Sequence, residues 1–525
     1  MTSFARFKAP AAAVLAATLL VLSGCSVLTE PKPDQTSATS AAPKPTAAED
    51  QTPAPVPAGF EDLYGQEVDW AACGGGAFEC AEITAPLDWN DPDAGTTTLS
   101  IKKYNAREQA QGTILLNPGG PGGSGVELVG YAPMIFGKEL LKNFNLLGFD
   151  PRGVGESDPV ACFEPAEMDQ FLATSFGEVT PEVAERIVAA NTKFAEACAE
   201  NSGDILGFVD TQSAAKDMDL LRALMGDNKL NYLGFSYGTQ LGATYAGLFP
   251  KNVGAMVLDG AIDLRLTGFE QSLQQAVGFE NALRAFVEDC QSGSDCPLAG
   301  TVDQGMAQVG ELLDSLLVSP LPTNDPGRVL TNSLAFYGVA QPLYAEQLWA
   351  QLRTALTGAI VSQDGSGLLA LSDSYFGRDA DGTYANNSFE AFNAINCLDS
   401  REDSDFATMQ EEAAKIKEAA PIMGGSFGFG GLGCANWPYP VAEQTFDLAA
   451  TGAAPIMVIG TTNDPATPYV WAQGLAEQLD PGFLVTHVGE GHTAYGMGSQ
   501  CTVNTVDDFF INGTIVVDGD TTIDN

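Results

Sequence analysis

From about residue 80 the chain alternates short apolar runs with segments of helical spacing. Thr97 to Lys103, Thr113 to Leu116, Phe144 to Phe149, Leu230 to Phe235 and Val253 to Leu258 read as strands. Asp210 to Met225 and Gly238 to Leu248 read as helices, the second stopped near Pro250. Strands without polar alternation, separated by helices, are buried on both faces; the pattern predicts an α/β fold with a mainly parallel sheet. The rhythm stops between about 265 and 440, where the sequence is mostly helical with glycine-rich breaks such as Gly424 to Gly433. It resumes at Pro455 to Gly460 and Phe483 to Val488. An insert of that length between two sheet strands is most simply a helical cap.

Two segments match G-x-S-x-G, and their contexts separate them. Gly234-Phe235-Ser236-Tyr237-Gly238 has an apolar strand before it and a helix after it, so Ser236 sits where a sharp strand-to-helix turn would lift a nucleophile. Gly424-Gly425-Ser426-Phe427-Gly428 lies in a glycine-rich loop with neither, and Ser426 reads as a loop serine. A serine hydroxyl needs a base, and the chain holds only His487 and His492. His487 falls inside a strand and reads as a packed residue. His492 follows that strand in Gly489-Glu490-Gly491-His492-Thr493, the place for the base when the order is Ser, acid, His. The acid then belongs on the preceding loop, Asn463-Asp464-Pro465-Ala466-Thr467-Pro468, which makes Asp464 the candidate, with Thr467 able to bond within the same loop. Backbone N–H groups for an oxyanion are expected from Tyr237 and from Gly120 in Asn117-Pro118-Gly119-Gly120-Pro121-Gly122-Gly123-Ser124-Gly125. No G-x-x-x-x-G-K-[ST] pattern follows that loop, which argues against a phosphate-binding reading. Asp150 and Arg152, in the loop to Ser157, are expected to brace the site.

Arg6 and Lys8 precede an apolar stretch from Ala11 to Leu22, too short to span a bilayer, which ends in Leu22-Ser23-Gly24-Cys25. The first 25 residues therefore read as a lipoprotein signal peptide, with Cys25 the acylated residue. Residues 26–58, rich in Pro, Thr, Ala and Ser, cannot bury a core and are expected to form a disordered tether. The remainder divides into core residues 59–264, a cap over 265–440, and core again over 441–525. Beyond Cys25 there are nine cysteines, with close candidates Cys73/Cys80 and Cys290/Cys296 and wider ones Cys162/Cys198 and Cys397/Cys434. Export to an oxidising compartment permits such bridges. The lack of close C-x-x-C or H-x-x-x-H spacing argues against zinc. A net charge of -43 repels nucleic acid and anionic lipid, and favours approach of cationic groups such as peptide amino termini.

Taken together the motifs resemble the tripeptidyl aminopeptidase group of serine peptidases, α/β-hydrolases related to proline iminopeptidases. NPGGPGGSG at 117–125, DPRGVGES at 150–157, GFSYG at 234–238, DPATP at 464–468 and Gly491-His492-Thr493 carry the resemblance. So do Ala394 to Asp399 and Cys434 to Pro438. The likeness runs from about 60 to about 515 and extends to envelope-anchored actinobacterial members with a lipobox. It implies an α/β-hydrolase core with a helical cap, cleavage of short peptides from a free N-terminus through an acyl-enzyme, and no metal or organic cofactor. Relatives often end in a further cysteine that this chain lacks, so Cys501 is expected to stand outside the bridges.

An aminopeptidase must meet a positive α-ammonium with a carboxylate, since desolvating that charge alone is costly. Asp399 in the cap is the first candidate and Glu127, after the oxyanion loop, the second. Two other readings use the same chain: a carboxylesterase or lipase with the same triad, and an envelope binding lipoprotein with an inactive site. Nothing in the sequence signals an oligomeric state.

Overall fold

The computed structural model describes residues 53–74, 76–402, 405–515 and 521–523. The expectations for the signal peptide, for Cys25 and for most of the tether fall outside these residues.

A ten-stranded sheet forms the centre of the fold. Its strands are β1 (Ala71–Cys73), β2 (Phe78–Asp88), β3 (Asp91–Tyr104), β4 (Gly112–Asn117), β5 (Phe144–Phe149), β6 (Leu230–Phe235), β7 (Val253–Asp259), β8 (Ile456–Asn463), β9 (Gly482–Glu490) and β10 (Thr521–Ile523). They lie in the order β1-β2-β3-β5-β4-β6-β7-β8-β9-β10. The β1/β2, β2/β3 and β3/β5 pairs are antiparallel. Every pair from β5/β4 onward to β9/β10 is parallel. Consecutive residues of β4 are buried on opposite faces, with Leu115 in one apolar cluster and Ile114 and Leu116 in another. That double burial is why these strands read as continuous apolar runs.

The order of the chain reverses around β4, which has β5 on one side and β6 on the other. Asn117 at the end of β4 pairs in register with Gly234 near the end of β6. The glycine-rich loop and the Ser236 turn therefore leave neighbouring strand ends, at the switch point where open α/β sheets bind ligands.

The helices that follow β7 begin with Gly268–Ser292 and end with Phe406–Ala419. The first of them lies directly on the loop after β8. A Cβ on Gly278 would fall 2.5 Å from the Pro465 carbonyl oxygen, so only glycine permits the approach. Gln275 donates to the Ala466 carbonyl at 2.7 Å, and Trp471 donates to Gln274 at 2.7 Å.

Two expected boundaries shift. Ala54 donates its N–H to Asn252 Oδ1 at 2.8 Å, so the end of the expected tether already meets the core. Asn252 is buried and spends its amide N–H on Asp219, which leaves the carbonyl needing a donor. Past residue 440 the chain still packs with the insert: Ala442 N–H donates to the Leu398 carbonyl, and no strand begins before Ile456 among the described residues.

Four disulfides join Cys73 to Cys80, Cys162 to Cys198, Cys290 to Cys296 and Cys397 to Cys434, and Cys501 takes part in none of them. No helix among the described residues is long and apolar enough to cross a membrane.

Candidate active site

Ser236 stands between β6 and helix Tyr237–Leu248 with φ 55° and ψ -122°. A non-glycine residue at positive φ costs about 1–3 kcal/mol and persists only where its surroundings hold it. Here the Ser236 N–H donates to the Asp259 carbonyl at the end of β7, at 2.9 Å. Tyr232 reaches over to donate its hydroxyl to the Gly238 carbonyl at 2.7 Å. Gly119, at φ +97°, presses its bare Cα on the turn: a Cβ there would lie 2.5 Å from the Phe235 oxygen and 2.8 Å from Ser236 Cβ.

The loop after β8 presents Asp464, buried, to His492 on the loop after β9. His492 Nδ1 lies 2.9 Å from each carboxylate oxygen of Asp464. Asp464 is held in turn by the backbone N–H groups of Ala466, Thr467 and Thr493 and by the Thr467 hydroxyl. Burial pulls the His492 pKa down. The Asp464 charge, its hydrogen bond and the nearby Asp259 outweigh that pull, and the pKa ends above the ordinary imidazole value. Asp259, buried, accepts from the N–H groups of Ala494 and Tyr495 and so fixes the chain beyond the histidine. Its own pKa is pushed up to about 6, by burial first.

Ser236, His492, Gly120 and Tyr237 line one cavity of 590 Å3. Among the described residues no direct hydrogen bond joins Ser236 to His492; such bonds are often loose before substrate arrives. Tyr237 opens a helix, so its N–H is one of the first-turn donors that the helix itself cannot satisfy. Aromatic side chains of the insert, including Phe279, Phe336, Tyr375 and Phe427, close the cavity. Ser426 also reaches this wall, from a short helical turn with no strand before it. His487 stays inside β9, buried, with its pKa lowered by desolvation.

Neither carboxylate expected to meet an amino terminus lines this cavity. Glu127 lines a separate one of 580 Å3 beside Asp150, Glu156 and Glu390. Asp399 lines a polar cavity of 590 Å3 next to the serine, and its oxygens are already engaged by Thr211 and Gln240. Glu402, three residues on, belongs to the walls of both this cavity and the serine cavity. Its pKa is raised by partial desolvation, then by Glu412. Nothing local in the sequence singles out Glu402 from the other surface acids.

Arg152 is fully buried and pairs bidentately with Asp217, at 2.7 Å through both nitrogens. It also donates to the carbonyls of Pro86, Leu87 and Phe208, locking β2 to the loop after β5. Asp150 accepts from Ser124 Oγ at 2.5 Å and from the Val126 and Glu156 N–H groups, joining that loop to the glycine-rich loop after β4.

A parallel sheet with a serine elbow after one strand and a paired Asp and His on the two loops that follow the insert is an α/β-hydrolase. Residues 420–522 match the family model described as TAP-like protein. The chain is 37% identical over 475 residues to the serine protease Hip1 of Mycobacterium tuberculosis, covering 86% of this chain and 90% of that one. It is 35% identical over 444 residues to carboxylesterase B of the same organism, covering 83% and 84%. Against the tripeptidyl aminopeptidase of Streptomyces lividans it is 29% identical over 471 residues, covering 85% and 84%. The chain belongs to the tripeptidyl aminopeptidase-like family of serine hydrolases.

Proposed function

We propose that this protein is an exported serine exopeptidase that releases short peptides, tripeptides in the family pattern, from free N-termini. The observation that carries the reading is one cavity shared by a strained serine, a histidine paired with a buried aspartate, and two candidate N–H donors. His492 takes the Ser236 proton as Oγ attacks the scissile carbonyl. The Gly120 and Tyr237 N–H groups hold the oxyanion, and Asp464 steadies the imidazolium. His492 then gives its proton to the departing amine. Water, deprotonated by the same imidazole, releases the acyl group.

The substrate ammonium is assigned to Glu402, at the junction of the serine cavity and its polar neighbour. A carboxylate there offsets the cost of desolvating the charge. The Leu22 to Cys25 segment and the four disulfides support an envelope lipoprotein held through acylated Cys25. Cys25→Ala is then expected to leave the membrane fraction with its specific activity intact.

The discriminating experiment uses one peptide with a free and with an acetylated N-terminus, products read by mass spectrometry. Free peptide is expected to lose a short N-terminal fragment, acetylated peptide to survive, and Ser236→Ala to cleave neither. Ser426→Ala is expected to behave as wild type. Equal cleavage of both peptides, or turnover confined to esters, would favour the carboxylesterase reading.

A further inference from the structure

The proposed oxyanion donor is tied to the insert by a chain of three side chains. The Tyr237 hydroxyl lies 2.5 Å from Thr211 Oγ1, and Thr211 Oγ1 lies 2.5 Å from Asp399 Oδ2. The Thr211 N–H donates to Asp399 Oδ1 at 2.8 Å, and Gln240 Nε2 donates to Oδ2 at 3.3 Å. Tyr237 and Thr211 are buried. Burial pushes the Asp399 pKa up to about 7; above that pH the carboxylate is ionised and only accepts, so Thr211 gives it the hydroxyl proton. Its oxygen is then free to accept from Tyr237, and the directions of the whole chain follow from Asp399.

The elements joined are distinct. Thr211 opens helix Thr211–Leu224, whose first-turn N–H groups lack helical partners, and Asp399 satisfies one of them from outside. Tyr237 opens the helix behind the nucleophile. Asp399 ends insert helix Ser388–Asp399, two residues after bridged Cys397. Asp399 thus couples the seating of the insert to Tyr237, which lines the serine cavity.

The geometry points to Asp399 and Thr211 as positioning residues that hold the Tyr237 N–H against the developing oxyanion through the Tyr237 hydroxyl. This rests on the serine-hydrolase reading above. The role differs from ammonium recognition: it is felt by every acyl substrate, whatever charge the substrate carries. A full seating of the insert also becomes a condition for a fully formed oxyanion site.

The test measures reactivity of the serine per folded molecule, as phosphonylation by a fluorophosphonate probe with loss of fluoride and as acylation through kcat and KM for a small uncharged p-nitrophenyl ester. Thr211→Val removes the hydroxyl but keeps the N–H to Asp399, and Tyr237→Phe removes the hydroxyl but keeps the peptide N–H. Each is expected to slow acylation and lower kcat about tenfold with little change in KM. The double variant is expected to be no slower than Thr211→Val alone, because that change already deletes the bond that Tyr237→Phe removes. Thr211→Ser is expected to recover most of the rate. Melting temperatures identify any variant that fails to fold, and Tyr237→Phe and Thr211→Ser, the mildest changes, then carry the comparison. Wild-type acylation rates in Thr211→Val or Tyr237→Phe, or additive losses in the double variant, would overturn the positioning role while leaving the nucleophile assigned. Absence of labelling in the wild type would instead overturn the hydrolase reading itself.

Discussion

The Tyr344 carbonyl accepts the His492 N–H at 2.8 Å, and the Tyr344 ring meets the imidazole edge to face at 5.4 Å between centroids. Tyr344 belongs to the insert, whereas His492 belongs to the loop after β9. The proposed base is thus held by Asp464 on one side and by the insert on the other. The insert grips the site at both of its chemical ends, at His492 through Tyr344 and at Tyr237 through Asp399.

Activity should depend on pH with a rising acid limb. The proposed base His492 can take a proton only when neutral, and its pKa lies above the ordinary imidazole value. kcat/KM is therefore expected to climb as pH rises through that raised pKa. Asp464→Asn removes the two largest raising causes and leaves the lowering effect of burial, so the limb should move to lower pH. Loss of the tautomer-holding carboxylate should also reduce kcat by roughly 10³–10⁴-fold. A pH–rate profile of the ester reaction checks both, and an unmoved limb would assign that titration to another group. The stability linkage has the opposite sense. A raised histidine pKa stabilises the fold below the unfolded value, and the contribution is lost as pH rises through the folded one.

Gly119→Ala should disable the elbow. The new Cβ would press on the Phe235 oxygen and Ser236 Cβ, at a φ of +97° that alanine avoids. Fluorophosphonate labelling is expected to fall at least about a hundredfold. Gly452→Ala is the control: its φ is +89° but no atom lies within 4 Å of the added carbon. It should cost on the order of 1 kcal/mol in thermal unfolding and nothing in labelling rate.

Loss of the Cys397–Cys434 bridge should be felt first in the insert. The bridge spans 37 positions and should contribute about 2–4 kcal/mol. The Cys397→Ser/Cys434→Ser variant is expected to show early proteolytic cuts near residues 400–434, before cuts in the sheet. Cuts appearing simultaneously in both would mean that insert and core unfold together.

Glu402→Gln should separate substrates by charge. Removing a carboxylate from an ammonium site costs about 2–5 kcal/mol, so free-amine peptides should lose at least about thirtyfold in kcat/KM. The small ester should lose little. Equal loss on both would place Glu402 in support of the insert.

The strands around the nucleophile were readable because burial on both faces leaves β4, β5, β6 and β7 almost wholly apolar. The long β2/β3 hairpin was only partly so. Pro86, Pro92 and Gly95 break its pattern, and the sheet absorbs them through a register shift between Pro86 and Asp88. At the site, Ser236, Asp464 and His492 each follow a strand, and position relative to a strand is a local property. The choice between Asp399 and Glu402 is not. It depends on which carboxylate is already spent on Thr211, and that is decided by the docking of a helix far along the chain. Arg152 was legible as a brace, but its partner Asp217 sits in a helix whose apolar spacing gives no hint of a buried charge.

The insert also divides the chemistry along the chain. Ser236 precedes it, while Asp464 and His492 follow it, so a growing polypeptide exposes its nucleophile well before any base exists to activate it. The N-terminal half, emerging from the ribosome, carries an inert alcohol. On the proposed assignment, reactivity arises only when the strands after the insert have added themselves to the sheet and His492 has reached Tyr344.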